Sequence, residues 1–130
     1  MSTRSDVKTG DVGTVYRVPT FDNDLEPSNF DPSTATVKQL VFKMPGTAAL
    51  ITRTAVASQD DDDVWGLEYT VTAADVAPWS SSTVGGFHQE AGPVSIEGYI
   101  EFSSAQKWAS STVTKDQQGR VLRVVDRLSA

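Results

Sequence analysis

Apolar and polar residues alternate along much of the chain, and the alternation has a period of two. Leu40, Phe42 and Met44 are apolar at every second position around Val41 and Lys43, and the run meets Pro45-Gly46, a turn signal. The clearest case comes later: Val94, Ile96, Ile100 and Phe102 fall on one side, with Ser95, Glu97, Tyr99 and Glu101 on the other. That pattern predicts a strand with one face in a core and one in water. Trp65, Leu67, Tyr69 and Val71 share a face across Gly66, Glu68 and Thr70. The same logic places strands at about 13–19, 48–57, 64–71, 107–114 and 120–126. The one helical signal is Thr72-Ala73-Ala74-Asp75-Val76, where Thr72 followed three residues on by Asp75 predicts a single capped turn before Pro78.

Composition points the same way. The 130 residues include 16 Val and 14 Thr but 6 Leu, a bias toward β-branched side chains that suit a pleated surface. About seven strands and one short helical turn predict an all-β protein. The economical arrangement is an antiparallel β-sandwich, with a small closed barrel as the alternative. The length fits one domain. We expect a flexible N-terminal arm over 1–9 and the sandwich over 10–130. Residues 21–32 and 78–93 read as long connections. The second carries Trp79, Phe87 and His88 among Ser80-Ser81-Ser82 and Gly85-Gly86, and long loops of this kind are often functional.

Charge and motifs narrow the function classes. Asp and Glu number 17 against 11 Lys and Arg, a net charge of −6, which argues against a nucleic-acid surface. There is no Cys, so disulfides and thiolate-ligated metals are excluded. The longest apolar runs are far shorter than the roughly 20 residues that span a bilayer, and residues 1–6 lack the apolar stretch of a secretory signal. We therefore expect no membrane partner. Asp60-Asp61-Asp62-Asp63 has the wrong spacing for a calcium loop and reads as a solvated hairpin loop, so no metal is expected. His88 is the sole histidine and lacks a Gly-x-Ser-x-Gly partner motif. Glu97 and Glu101 are four residues apart on one strand face, about 13 Å by strand rise, a poor fit to paired-carboxylate hydrolysis. Gly10-Asp11-Val12-Gly13 and Gly85-Gly86 lack the Gly-Lys-Ser/Thr ending of a phosphate loop. No enzyme activity and no cofactor are expected. Trp79, Phe87 and Trp108 are candidates for a sugar-stacking platform, although core packing also accounts for Trp65 and Trp108.

Several stretches, taken in order, resemble the immunoglobulin-like N-terminal domain of phage baseplate upper proteins and related tail adaptors. They begin with Gly10-Asp11-Val12-Gly13-Thr14-Val15 and Asp22-Asn23-Asp24. Next is 36–45, which contains Lys38, Leu40, Phe42 and Pro45 in the form Lys-x-Leu-x-Phe-x-x-Pro. Leu67-Glu68-Tyr69-Thr70, Ala74-Asp75-Val76, Ala91-Gly92, Ile96-Glu97-Gly98-Tyr99-Ile100 and Lys107-Trp108-Ala109-Ser110-Ser111 complete the series. The chain departs from the family at Val94, where the family typically has Trp, in an apparent insertion over 78–90, and in ending at Ala130 without a following helical region. The resemblance implies a single-domain structural protein of the virion tail or baseplate, made in the host cytoplasm and present in several copies of a symmetric assembly. Its partners would be other tail, baseplate or fibre proteins. On this view Arg4 in the arm and Trp79, Phe87 and His88 in the long loop are the candidate interface residues. A carbohydrate-binding sandwich that recognises host-surface glycans is the alternative.

Overall fold

A computed structural model describes residues 6–22, 28–45, 50–77, 86–115 and 121–125. Over these residues the protein is all-β. Its strands are β1 (Asp6–Lys8), β2 (Val15–Pro19), β3 (Phe21–Asp22), β4 (Ser28–Asn29), β5 (Val37–Lys43) and β6 (Leu50–Thr54). They continue with β7 (Val56–Gln59), β8 (Trp65–Thr70), β9 (Gly92–Pro93), β10 (Ser95–Glu101), β11 (Lys107–Ala109) and β12 (Arg123–Val125). A four-stranded sheet in the order β11-β10-β5-β6 and a three-stranded sheet in the order β2-β8-β7 form the two layers of a sandwich, and all pairings within them are antiparallel.

The core lies between these layers because alternation sends the apolar side chains of both inward. Leu40 and Phe42 of β5 meet Val18 of β2 and Leu67 of β8, with Ile96 and Ile100 of β10 beside them, all fully or almost fully buried. Each such side chain contributes roughly 1.5–3 kcal/mol on leaving water. Tyr16 of β2 packs edge-on against Phe42, with ring centroids 5.3 Å apart, in the geometry that aromatic quadrupoles favour. Beside the sandwich lie a small sheet, β1-β12-β9, and the hairpin β3-β4.

Four expectations change. The segment expected as one strand over 48–57 turns a corner at Ala55: β6 pairs with β5 and β7 pairs with β8, so one run of chain serves both layers. Ala55 is buried there and its N–H donates to the Lys38 carbonyl at 2.9 Å. Strands that switch layers make such corners, and a small side chain lets the chain pass close to the core. Second, the arm expected over 1–9 is not separate from the fold. Asp6–Lys8 pair in parallel with Arg123–Val125, and Val7 is buried; residues 1–5 lie outside the described residues. Third, the expected connection over 21–32 contains the β3-β4 hairpin. Asn29 uses its side chain as a strand uses its backbone, accepting from the Trp65 N–H at 2.6 Å and donating to the Trp65 and Thr20 carbonyls at 2.9 Å each. Fourth, the strand expected over 107–114 is shorter: β11 ends at Ala109, and Val113 returns as an isolated bridge to Ile96.

The capped turn also takes a specific form. The Thr72 N–H donates to the Asp75 carboxylate at 2.9 Å and the Asp75 N–H donates to the Thr72 carbonyl at 3.1 Å, with successive turns through Ala77 instead of a helix.

Candidate functional site

The chemically capable side chains gather around Phe87 and His88, where the turn after β8, the connector between β1 and β2, and β6 come together. Asp75 is the hub of one cluster. Its carboxylate accepts from Arg53 Nε at 2.8 Å, from the Thr72 hydroxyl at 3.1 Å and from the Tyr69 hydroxyl, besides the Thr72 N–H. Its own carbonyl accepts from the N–H groups of Gly86 and Phe87, at 2.8 and 2.9 Å. Arg53 in turn lies over the Phe87 ring, 5.5 Å from its centroid, a cation–π contact. Burial pushes the Asp75 carboxyl up, but the bonds from Thr72, Tyr69 and Arg53 outweigh it, so the group titrates below its ordinary value of 3.8. Burial and the bond to Asp75 push the Tyr69 hydroxyl up.

His88 forms the second cluster. Its Nδ1 is 2.9 Å from the Asp11 carbonyl and its Nε2 is 2.8 Å from the Tyr16 hydroxyl. A carbonyl oxygen can only accept, so Nδ1 carries the proton and neutral Nε2 accepts from Tyr16. His88 has a left-handed φ of 58°, a conformation uncommon outside glycine that the surrounding bonds hold in place. Burial lowers the His88 pKa from 6.5, against the opposing Asp11 carbonyl bond and the Asp11 and Asp75 charges. Burial, helped by the Asp11 charge, raises the Tyr16 hydroxyl well above the usual tyrosine range.

These positions revise the sequence-derived site. Phe87 is 0 % and His88 1 % exposed, so as placed they offer no surface to a partner. Their polar and aromatic groups serve the interior, because a ring flanked by Phe42, Tyr69 and Arg53 gains more from burial than from a solvated loop. Trp79 and Arg4 lie outside the described residues. Trp108 is engaged as well. Its indole N–H donates to the Phe21 carbonyl at 3.0 Å and its ring meets Phe30 edge-on at 5.5 Å, so of the sugar-stacking candidates Phe87 is enclosed and Trp108 is half-buried against internal partners.

The Asp60-Asp61-Asp62-Asp63 run is the β7-β8 hairpin loop. Asp60 accepts from the Asp62 and Val64 N–H groups at 2.8 and 3.0 Å, and Asp63 takes the left-handed position with φ 61°. Among the described residues no group of three or more His, Asp or Glu is placed to hold a metal ion. Among the described residues, the two most exposed large apolar side chains stand on terminal strands of the two layers. Leu50 starts β6 and Val56 starts β7, each the terminal strand of its sheet, and they are 65 % and 57 % exposed. Sequence reasoning missed the Arg53–Asp75 and His88–Tyr16 pairs, because the partners are 22 and 72 residues apart. The capping pattern marked Asp75 only as a turn residue.

No family model, curated protein or solved structure matches the chain.

Proposed function

We propose that this protein is a structural, non-enzymatic component of a phage virion, a tail or baseplate adaptor that docks neighbouring tail or fibre proteins through protein–protein contacts. The reading is carried by one observation: three of the stretches that resemble the baseplate family in order lie side by side in space. They are 36–45, 96–100 and 107–111, and they lie on or overlap the strands Val37–Lys43, Ser95–Glu101 and Lys107–Ala109, consecutive in the sheet order β11-β10-β5. The closed character of the chemistry supports the same reading, since Asp75 and His88 direct their polar atoms to internal partners. Docking would use what the fold leaves outside, above all the β6-β7 side with Leu50 and Val56. Unpaired strand edges accept added strands, and repeated copies in a symmetric assembly multiply modest contacts.

Quantitative mass spectrometry of purified virus particles from the source genome tests this, scaled to a known capsid or tail protein. A fixed copy number in small multiples of three or six is expected. Absence of the chain from intact particles would overturn the proposal.

A further inference from the structure

We propose that β6 is a self-pairing edge: two copies of this chain join β6 to β6 in antiparallel register across a two-fold axis at Thr52, so that their four-stranded sheets run on as one. The register of β6 on β5 shows which backbone groups are available. The Ala55 N–H donates to the Lys38 carbonyl at 2.9 Å, in line with the pairing of Leu40 with Arg53 and of Phe42 with Ile51, and hydrogen-bonded pairs alternate along an antiparallel ladder. Leu50, Thr52 and Thr54 therefore turn their N–H and C=O groups away from β5, on a strand that ends its sheet. Their side chains are exposed on the outer face, while Ile51 points into the core. Arg53 Nη1 donates to the Thr52 carbonyl at 3.0 Å, which leaves that oxygen a second lone pair. Such a row of N–H and C=O groups is complementary to another strand.

The other edges of the two layers carry the devices that keep strands apart. β2 carries Arg17 and ends in Pro19, β11 has the exposed Lys107, and β7 runs straight into Asp60-Asp61-Asp62-Asp63. β6 has no Pro, and its one charged residue, Arg53, turns inward to Asp75 and Phe87. Charge then selects a second copy as the occupant. The net charge of −6 makes copies repel in general, yet β5 and β6 contain no Asp or Glu. From β6 the chain runs through Ala55 and β7 to the four aspartates, which therefore lie beyond the Thr54 end of β6, while Lys43 stands beside Leu50 at the other end. Antiparallel pairing sets the aspartate end of each copy beside the Lys43 end of the other, and keeps the two acidic runs apart. The facing side chains suit each other too: Thr52 meets Thr52, and Leu50 meets Thr54 of the second copy. For its place in a virion this rests on the docking reading above, whose exposed edge it supplies with a partner; the pairing itself is a property of the isolated protein.

Sedimentation velocity of the purified chain over a concentration series tests the pairing. A monomer–dimer equilibrium is expected, with a dissociation constant of about 1–100 μM because so short an edge makes a small contact. Thr52→Pro removes an N–H that β5 does not use, so the fold should persist by far-UV circular dichroism while association weakens by about tenfold or more. Thr52→Lys sets two ammonium groups face to face at the axis; it should weaken association similarly and decides the question if the proline variant does not fold. Thr52→Cys places the only thiol of the chain at a pair spacing of about 5.5 Å, within disulfide reach. It should oxidise to a covalent dimer much faster than Ser103→Cys, which is exposed in the turn between β10 and β11. A chain that is monomeric at every concentration, a dimer that neither Thr52→Pro nor Thr52→Lys weakens, or equal oxidation of the two cysteine variants would each overturn the proposal. A monomeric chain whose Thr52→Lys variant is lost from virus particles would overturn it too, and would give the edge to a strand of another protein. Pairing is read on pure protein and virion membership on particles, so either reading can fail while the other stands.

Discussion

The guanidinium of Arg17 lies where a side chain on Gly66 would have to go: a Cβ on Gly66 would stand 2.8 Å from Arg17 Cζ and 2.8 Å from the Val18 carbonyl oxygen. Arg17 crosses the outer face of β8 at this point to donate to the Ser58 carbonyl at 3.0 Å and to the Val64 carbonyl, with Asp60 3.7 Å from its other terminal nitrogen. The residue closes the base of the acidic hairpin by using the space that glycine leaves. Gly66→Ala should therefore destabilise the protein by about 1–3 kcal/mol through overpacking, read from urea unfolding midpoints. In the double variant with Arg17→Ala the two costs should sum to less than their separate values, leaving the clash with the Val18 carbonyl. Strict additivity would show that Arg17 does not occupy this space.

Asn29 holds the β3-β4 hairpin to β8 through three hydrogen bonds with backbone groups of Thr20 and Trp65. Asn29→Ala removes them and leaves the Trp65 N–H without its acceptor, while the Trp65 carbonyl keeps the Thr20 N–H and hydroxyl, at a cost of about 2 kcal/mol. Trp108 should report the change, because its N–H bonds the Phe21 carbonyl of the same hairpin. The expected result is a lower thermal midpoint and a red-shifted tryptophan emission, whereas an unchanged midpoint would contradict the role.

Asp75 sets an acid limit to stability. Its folded-state pKa is below 3.8 while the unfolded chain titrates near about 3.9, so the unfolded state binds the proton first as pH falls. The contribution is complete above the unfolded value and is lost as pH drops through the folded one. Asp75→Asn should cost about 3 kcal/mol at pH 7, because it leaves Arg53 without its carboxylate. It should also flatten the loss of stability below pH 4, measured as urea midpoints across that range. A variant as acid-sensitive as the wild type would exclude Asp75 as the cause.

Deleting residues 1–8 should destabilise the fold as well as shorten the chain. The deletion removes the ladder with β12 and the buried Val7 side chain, whose burial contributes roughly 1.5–3 kcal/mol. Val7→Asp is the point-substitution counterpart and should lower the thermal midpoint similarly. If both variants melt like the full chain, β1 contributes nothing to the sandwich.

Period-two patterning makes the two layers legible from residues alone. Leu40, Phe42 and Met44, then Val94, Ile96 and Ile100, are all buried as their alternation requires, since successive strand side chains leave opposite faces and one face is enough to mark the core. Charge runs and turn residues likewise placed Asp60-Asp61-Asp62-Asp63 in a hairpin loop. The corner at Ala55 was not legible, because nothing in local sequence says which neighbour a strand will pair with on either side of a small residue. Nor was β1, whose three residues show no periodicity and form a strand only because β12 offers an edge from the far end of the chain.

The sequence by itself determined the class of the fold, the main inward faces and the absence of thiol chemistry, because these depend on residue type and spacing within a few positions. Only the tertiary structure decided what His88, Phe87 and Asp75 do. Their roles rest on partners such as Tyr16, Arg53 and Tyr69, brought from other strands to within hydrogen-bond or ring-contact distance. An aromatic or ionisable side chain in a loop serves a surface or an interior according to what folds over it, and that is settled by packing between distant segments.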